Sequence, residues 1–265
     1  MTIWLSELLS KQEWVAHGTA TLAFGSTRYP NAGEEDANVE NRAKFLRALG
    51  LDPSRLVASE NVHGKSVSRV SPPSVKEGLG VVLDRIADCD GLVTTTPSIV
   101  LATKTADCLP IFIADPTTRT VAIVHAGWKG VMAGIAIEAV RAFVDHGSFA
   151  RDLIVAIGPS IGPCHYVIHG ERRDEMLATT PFVREEDFVI TTPNPSLKEE
   201  GRREYRVDLR AIVVRQLVSS GVLATNIDAS APCTACHPDR FASYFLSRDM
   251  SQGMLSAIAI RPTVD

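Results

Sequence analysis

What the chain lacks narrows it first. Its 265 residues contain no run of about eighteen apolar side chains, the length a helix needs to cross a bilayer. The most apolar stretch, Ser98 to Trp128, is broken by Lys104, Asp107, Asp115 and Arg119. A membrane-spanning helix is therefore excluded. Basic blocks are also missing: 27 Lys and Arg against 31 Asp and Glu leave a net charge of −4, so no nucleic-acid or anionic-lipid surface is expected. Cysteine is scarce. Cys89, Cys108, Cys164, Cys233 and Cys236 are odd in number and unevenly spaced, which does not suit a disulfide scaffold. No basic leader precedes an apolar segment near Met1, and Glu7 interrupts Trp4, Leu5, Leu8 and Leu9, so a cytoplasmic protein is expected. Repeats and low-complexity tracts are absent as well.

What is present is the composition of a soluble globular chain, 45% apolar and 22% charged, long enough to bury a substantial core. One domain spanning 1–265, a monomer, and a small-molecule partner are the expectations. β-Branched runs at Gly91 to Thr95, Ile99 to Thr103, Pro110 to Ala114 and Thr120 to His125 predict consecutive strands, hence antiparallel pairing. Helical spacing of Val131, Ile135, Ala139, Val140, Phe143 and Val144 predicts a helix from Gly130 to His146. Two more helices are predicted at Val39 to Leu49 and, opened by Asp208 and closed by Gly221, at Asp208 to Ser219. Arg151 to Ile157, Ile227 to Ser230 and Leu255 to Ile260 read as later strands. Tyr29 to Asp36, Ser71 to Pro73 and Thr191 to Gly201 read as loops. Grouped strands favour α+β over a doubly wound sheet.

Four readings of the cysteines and histidines compete. His63, Cys108 and His125 each stand at the end of an apolar segment, where rigid scaffolds present functional groups. Two His and one Cys suit zinc and leave a fourth position for water or substrate. Packed core residues would look the same. Cys233-Thr234-Ala235-Cys236-His237 matches the haem c attachment pattern, but that chemistry belongs to exported proteins. His169-Gly170-Glu171 with Pro232-Cys233 and Cys236 spells the two halves of a zinc nucleobase deaminase, though some sixty residues separate them. Finally, Cys108 and His125 could form the thiolate and base of a cysteine hydrolase. A redox or metal-storage role for Cys233 and Cys236 is the non-enzymatic alternative.

Ordered segments decide among them. Asn41-Arg42, Val62-His63-Gly64, Ala87 to Thr94, Thr105-Ala106-Asp107-Cys108-Leu109-Pro110, His125-Ala126-Gly127-Trp128-Lys129-Gly130, Ile157 to Cys164 and Cys233 to Cys236 with Phe241 to Tyr244 follow one another along the chain. Together they resemble the laccase-domain family, also called YfiH-like or multicopper polyphenol oxidase. The resemblance implies a mixed, largely antiparallel α+β fold of the YfiH and cytotoxic-necrotizing-factor type. It implies zinc held by His63, Cys108 and His125; Asp107, beside Cys108 in the chain, is then expected to orient the site or move a proton, or else to cap a turn. It also implies phosphorolysis of adenosine, inosine and methylthioadenosine, and deamination of adenosine. Some relatives resemble peptidoglycan-precursor editing enzymes. Copper fits poorly, because multicopper oxidases use His-x-His pairs and no two of the seven histidines stand two apart.

Phosphate needs cations, and Arg42 and Lys129 are the candidates in matching segments, with Asn61 as a further substrate contact. Several positions depart from the family pattern. Lys129 replaces a frequent Arg, which keeps charge but loses bidentate contact. Asn61 stands where Gln is common, and His165 where a second Cys is common. Phe245-Leu246 and Met254 replace basic residues, so phosphate binding falls to few cations, Arg248 among them.

Overall fold

The computed structural model describes residues 2–31, 35–71, 84–191 and 203–262. Alternation in two strands sets its centre. Along Leu109–Asp115, Leu109, Ile111 and Ile113 join one core while Phe112 and Ala114 join another. The antiparallel neighbour Thr120–Ala126 divides Ala122, Val124 and Ala126 from Val121 and Ile123 in the same way. Apolar residues on both faces require cover on both faces.

A second sheet covers one side and helices the other. The first six-stranded sheet runs Ile227–Asp228, Ile154–Ile157, Leu109–Asp115, Thr120–Ala126, Gly91–Thr94, Val67–Arg69. The other runs Ile3–Trp4, Val15–Ala20, Met254–Ile260, Val100–Thr105, Leu56–Ser59, Asp84–Ile86. Between them Leu101 and Ile258 meet Leu92, Phe112 and Ile123, all fully buried; each such side chain contributes about 1.5–3 kcal/mol. Helices Ile135–Val144 and Leu209–Ser219 cover the first sheet through Phe143, Ile212 and Leu217. Helix Val39–Ala48 covers the second through Phe45 and Leu46. A small sheet of Val167–His169, Glu204–Val207 and Phe188–Ile190 completes the α+β arrangement.

Three expectations change. The helix expected over 130–146 is two, Trp128–Ala133 and Ile135–Val144, because Gly134 turns left-handed at φ 82° and caps the first. The four consecutive strands do not form one antiparallel set: Val100–Thr105 crosses to the other sheet, parallel to Leu56–Ser59 and antiparallel to Met254–Ile260. Val15–Ala20 is an unexpected strand, its apolar pattern hidden by His17, Gly18 and Thr19 although all six residues are buried. Asp208 caps its helix as predicted, accepting from the Arg210 and Ala211 amides. Of the predicted loops, residues 32–34, 72–73 and 192–201 lie outside the described residues.

Candidate metal centre

The central hairpin turns a separation along the chain into a contact. Its register pairs Pro110 with His125 and Leu109 with Ala126, so Cys108 and Gly127 face each other just beyond the paired strands. His63 arrives from the loop after Leu56–Ser59, in which Asn61 and His63 take left-handed φ values of 63° and 61°. Non-glycine residues enter that region only when their surroundings hold them there. Here the Cys89 carbonyl accepts from the Asn61 amide at 3.1 Å, and Asp90 holds His63. Its Oδ1 accepts from the His63 amide at 2.9 Å and its Oδ2 from the Gly64 amide at 2.7 Å.

The same carboxylate sets the second imidazole. Asp90 is fully buried, its carbonyl accepts from the His125 amide at 2.7 Å, and its Oδ1 accepts from His125 Nδ1 at 2.8 Å. A carboxylate on Nδ1 fixes the tautomer and leaves Nε2 as the ligand atom. The His63 and His125 rings meet edge to face, 4.9 Å between centroids. Ligand atoms of His63, Cys108 and His125 all lie within 4.8 Å of one another. Gly127 makes the space: a Cβ there would stand 2.8 Å from His63 Cδ2, 3.3 Å from Cys108 Sγ and 3.6 Å from His125 Cε1.

Charge follows from this packing. Burial pushes the Cys108 thiol up, but His125 and His63 outweigh it and bring the pKa down to about 6. Burial likewise works to lower His125, yet the Cys108 thiolate and Asp90 raise it to about 9. Desolvation also opposes ionisation of Asp90, and the hydrogen bonds from His125, Gly64 and His63 overcome it, leaving its pKa below the usual carboxylate value. A thiolate flanked by two imidazoles, one braced by a buried carboxylate, is a soft-cation ligand set with its supporting shell in place.

Two clefts meet at Cys108. One, of about 320 Å³, is walled by Trp128, Tyr166, Tyr244 and Phe245 with Arg248 at its edge. The other, of about 330 Å³, carries Arg28, Asn31, Asn61 and Lys104 beside His63 and His125. Ala106, Cys108 and Tyr244 belong to both.

The family model for multi-copper polyphenol oxidoreductase laccases matches residues 18–261. The chain belongs to that family. The protein named purine nucleoside phosphorylase YlmD from Geobacillus stearothermophilus is 32% identical over 224 residues, covering 84% of this chain and 78% of that one. Purine nucleoside phosphorylase Rv2149c of Mycobacterium tuberculosis is 33% identical over 229 residues, covering 86% and 81%. The crystal structure of Bacillus licheniformis hypothetical protein YfiH superposes with a TM-score of 0.82 at 26% identity, over 98% of this chain and 97% of that one.

In this laccase-family chain Asn61 and Asp107 each line one of the two clefts, whereas Arg42 and Lys129 line neither. Arg42 is fully buried, its guanidinium paired with Asp36 and donating to the Arg28 carbonyl at 3.0 Å. It braces a loop and lines neither cleft, because a residue in the first turns of an amphipathic helix can face the core as easily as the ligand. Lys129 is exposed, 5.8 Å from the Trp128 ring, and also lines neither cleft. Asn61 does line the cationic cleft, but its amide is spent within the wall: Oδ1 accepts from Ser59 and Thr103 hydroxyls at 2.7 and 3.0 Å, and Nδ2 donates to the Lys104 carbonyl at 2.8 Å.

Asp107 is a tie. Its Oδ1 accepts from Thr234 Oγ1 at 2.6 Å and its Oδ2 from the Phe245 amide at 2.7 Å, so both oxygens are engaged. The deaminase reading fails on placement, since it is His165 and not His169 whose ring nitrogen meets the Cys233 and Cys236 sulfurs; His169 is exposed at the head of helix Gly170–Thr179. Sequence reasoning passed over Asp90, Arg28 and Lys104. For Asp90 a signal existed, an acid between Cys89 and Gly91 at the mouth of an apolar strand.

Proposed function

We propose that the chain is a zinc-dependent purine nucleoside enzyme of the cytoplasm that cleaves adenosine, inosine and methylthioadenosine with phosphate and deaminates adenosine at the same centre. One observation carries this reading: His63, Cys108 and His125 converge where an aromatic cleft joins a cationic one. A flat base and a phosphate make opposite demands on their surroundings, and the two clefts answer them separately. The names of the relatives support the substrate class.

The ligand set fits zinc. One thiolate and two imidazoles are borderline-soft donors, three protein ligands leave a position open, and the space that Gly127 preserves is bordered by all three. When bound, zinc supplies a Lewis acid and a means of lowering the pKa of water. The copper of the family name is disfavoured here, since the histidines of this group come singly from distant segments.

The chain's own residues do the rest. Trp128, Tyr166, Tyr244 and Phe245 offer ring faces and apolar edges to a purine, and Arg172 lies 3.8 Å over the outer wall at Trp128. Arg28 and Lys104 face the other cleft, Lys104 Nζ steadied by the Tyr29 carbonyl at 3.2 Å and Asn31 Oδ1 at 2.7 Å. These two replace Arg42 and Lys129 as the phosphate-binding cations. In phosphorolysis a phosphate oxygen bonds to the ribose carbon as the glycosidic bond breaks, and the electron pair leaves on the purine nitrogen, which takes a proton. Asp107, with both oxygens engaged, positions the Tyr244–Phe245 wall.

The Cys108 pKa of about 6 beside a raised His125 favours a second reading, a thiolate–imidazolium hydrolase. Incubating zinc-loaded protein with adenosine, with and without phosphate, separates them. Adenine formed only with phosphate is the expected product, with inosine marking the deaminase activity. Neither product, or turnover undiminished in His63→Ala, refutes the zinc nucleoside reading.

A further inference from the structure

A second group of soft ligands lies on the other side of Asp107. Cys164 and His165 come from the loop after strand Ile154–Ile157, and Cys233 precedes and Cys236 ends the short turn Thr234–Cys236. Far apart in sequence, their four ligand atoms all lie within 4.8 Å of one another. His165 Nδ1 is 3.4 Å from Cys164 Sγ, 3.5 Å from Cys236 Sγ and 3.8 Å from Cys233 Sγ, and the Cys164 and Cys236 sulfurs are 3.3 Å apart. A tetrahedral zinc with Zn–S near 2.3 Å and Zn–N near 2.0 Å sets its ligands about 3.8 Å apart between sulfurs and about 3.5 Å from sulfur to nitrogen. The group therefore has nearly the edge lengths of one such tetrahedron. A multi-iron cluster would need its thiolates spread farther apart.

The surroundings are those of a built site. The Gly162 amide donates to Cys233 Sγ at 3.2 Å, a bond that favours the thiolate over the thiol. Arg210, half-buried, ties the two ligand-bearing loops: Nε donates to Ser160 Oγ at 2.9 Å, and Nη2 to the Ser160 and Pro232 carbonyls at 2.6 and 3.0 Å. The Thr234 amide donates to the Ser160 carbonyl at 3.1 Å, so the loops are also joined backbone to backbone. Three thiolates and a neutral imidazole around a divalent ion leave one net negative charge, and the Arg210 guanidinium stands beside it. All five cysteines are free, so no disulfide competes for these sulfurs.

We propose that Cys164, His165, Cys233 and Cys236 form a second, structural zinc site, closed by four protein ligands and separate from the His63–Cys108–His125 centre. The ion fastens the Ser160–His165 and Ala231–Cys236 loops, and through them Thr234 and the Asp107 carboxylate it donates to. This inference does not rest on the nucleoside reading, since metal content is measured without any turnover.

The test is a metal count on full-length protein purified anaerobically from zinc-replete cells. Wild type is expected to hold two zinc ions per chain, and His63→Ala/His125→Ala and Cys164→Ser/Cys236→Ser one each. X-ray absorption of the ion left in His63→Ala/His125→Ala should show three sulfurs and one nitrogen. If the cysteine variant fails to fold, cobalt(II) titration of the metal-free wild type decides: two equivalents bind, with thiolate-to-cobalt absorption characteristic of a three-thiolate site in one of them. A single zinc per wild-type chain, a remaining ion without sulfur-rich coordination, cobalt binding that stops at one equivalent, or a Cys164–Cys236 disulfide in the anaerobic protein overturns the proposal.

Discussion

Asp107 precedes Cys108 in the chain and accepts from Thr234, which follows Cys233, so it stands between the His63–Cys108–His125 group and the Cys164–His165–Cys233–Cys236 group, yet the two rest on different kinds of structure. Cys108 and His125 sit at the paired ends of a hairpin whose two strands are fully buried, and a buried carboxylate aims His125 and pins the loop that brings His63. The four-membered group stands on irregular loops joined by Arg210 and one parallel bridge, with Cys164 and Cys236 exposed. Three ligands at the junction of two clefts leave room for substrate, whereas four leave none. Ligand number and the stiffness of the support thus suit the first group to the proposed chemistry and the second to the proposed fastening of loops.

The largest effect comes from filling the space that only the first group needs. In Gly127→Ala the new methyl stands 2.8 Å from His63 Cδ2, closer than real contacts allow, and 3.3 Å from Cys108 Sγ, tighter than most. His63, exposed and on a left-handed backbone, is the member that gives way. We expect zinc per chain to fall from two to one and nucleoside turnover to fall to background. Loss of both ions would show that the two groups are not independent.

Asp90→Asn comes next. The variant keeps size but exchanges a carboxylate for an amide beside His125 Nδ1, and such changes around ligating histidines cost about 10–100-fold in metal affinity or activity. The loss should appear at the first centre alone, as weaker zinc retention against a chelator. Equal weakening at the sulfur-rich group would mean that Asp90 supports the fold at large and not the hairpin end.

Reactivity separates the groups on a smaller scale. In metal-free protein Cys108, lowered to about 6, is a thiol below that pH and a thiolate above it, so its alkylation by iodoacetamide should climb through pH 6 and level off by pH 8. Burial and the neighbouring sulfurs push the Cys164 thiol up, so its rate should still be rising there. At neutral pH Cys108 should react the faster of the two, the gain in thiolate being tempered by lower intrinsic nucleophilicity. Mass mapping of the labelled cysteines checks this, and zinc should abolish the Cys108 label. A Cys108 rate that follows an ordinary thiol would remove the imidazole influence inferred from the geometry.

Much of the first centre was legible because its elements are regular. β-Branched runs bounded by Pro and Asp placed Cys108 and His125 at strand ends, and a short turn between the strands makes such ends neighbours. His63 was not reachable that way, since its position depends on two left-handed residues and on Asp90, a partner 27 residues further along the chain. Arg42 misled for a related reason: a helix has two faces, and composition does not say which one an arginine takes when Asp36 offers a buried pair. The sulfur-rich group was legible only in half. Cys233 and Cys236 announced themselves by spacing, but the imidazole that joins them comes from His165, placed by loop geometry that leaves no period in the sequence. His169, which matched a written motif, went to a helix cap instead.

The smallest expected effect tests the link between the groups. Thr234 stands between Cys233 and Cys236, and its hydroxyl donates to Asp107 at 2.6 Å, while the other Asp107 oxygen holds the Phe245 amide of the aromatic cleft. Thr234→Val keeps the shape and removes one hydrogen bond to a carboxylate, worth about 1.5–3 kcal/mol. Neither metal loses a ligand, so two zinc ions should remain. The midpoint of thermal unfolding should drop, and the KM for nucleoside should rise a few-fold with kcat nearly kept, because the wall that receives the base is less firmly set. A fall in kcat with KM unchanged would instead give Asp107 a direct part in the reaction, and an unmoved KM, kcat and midpoint would mean that the two groups merely share a neighbour.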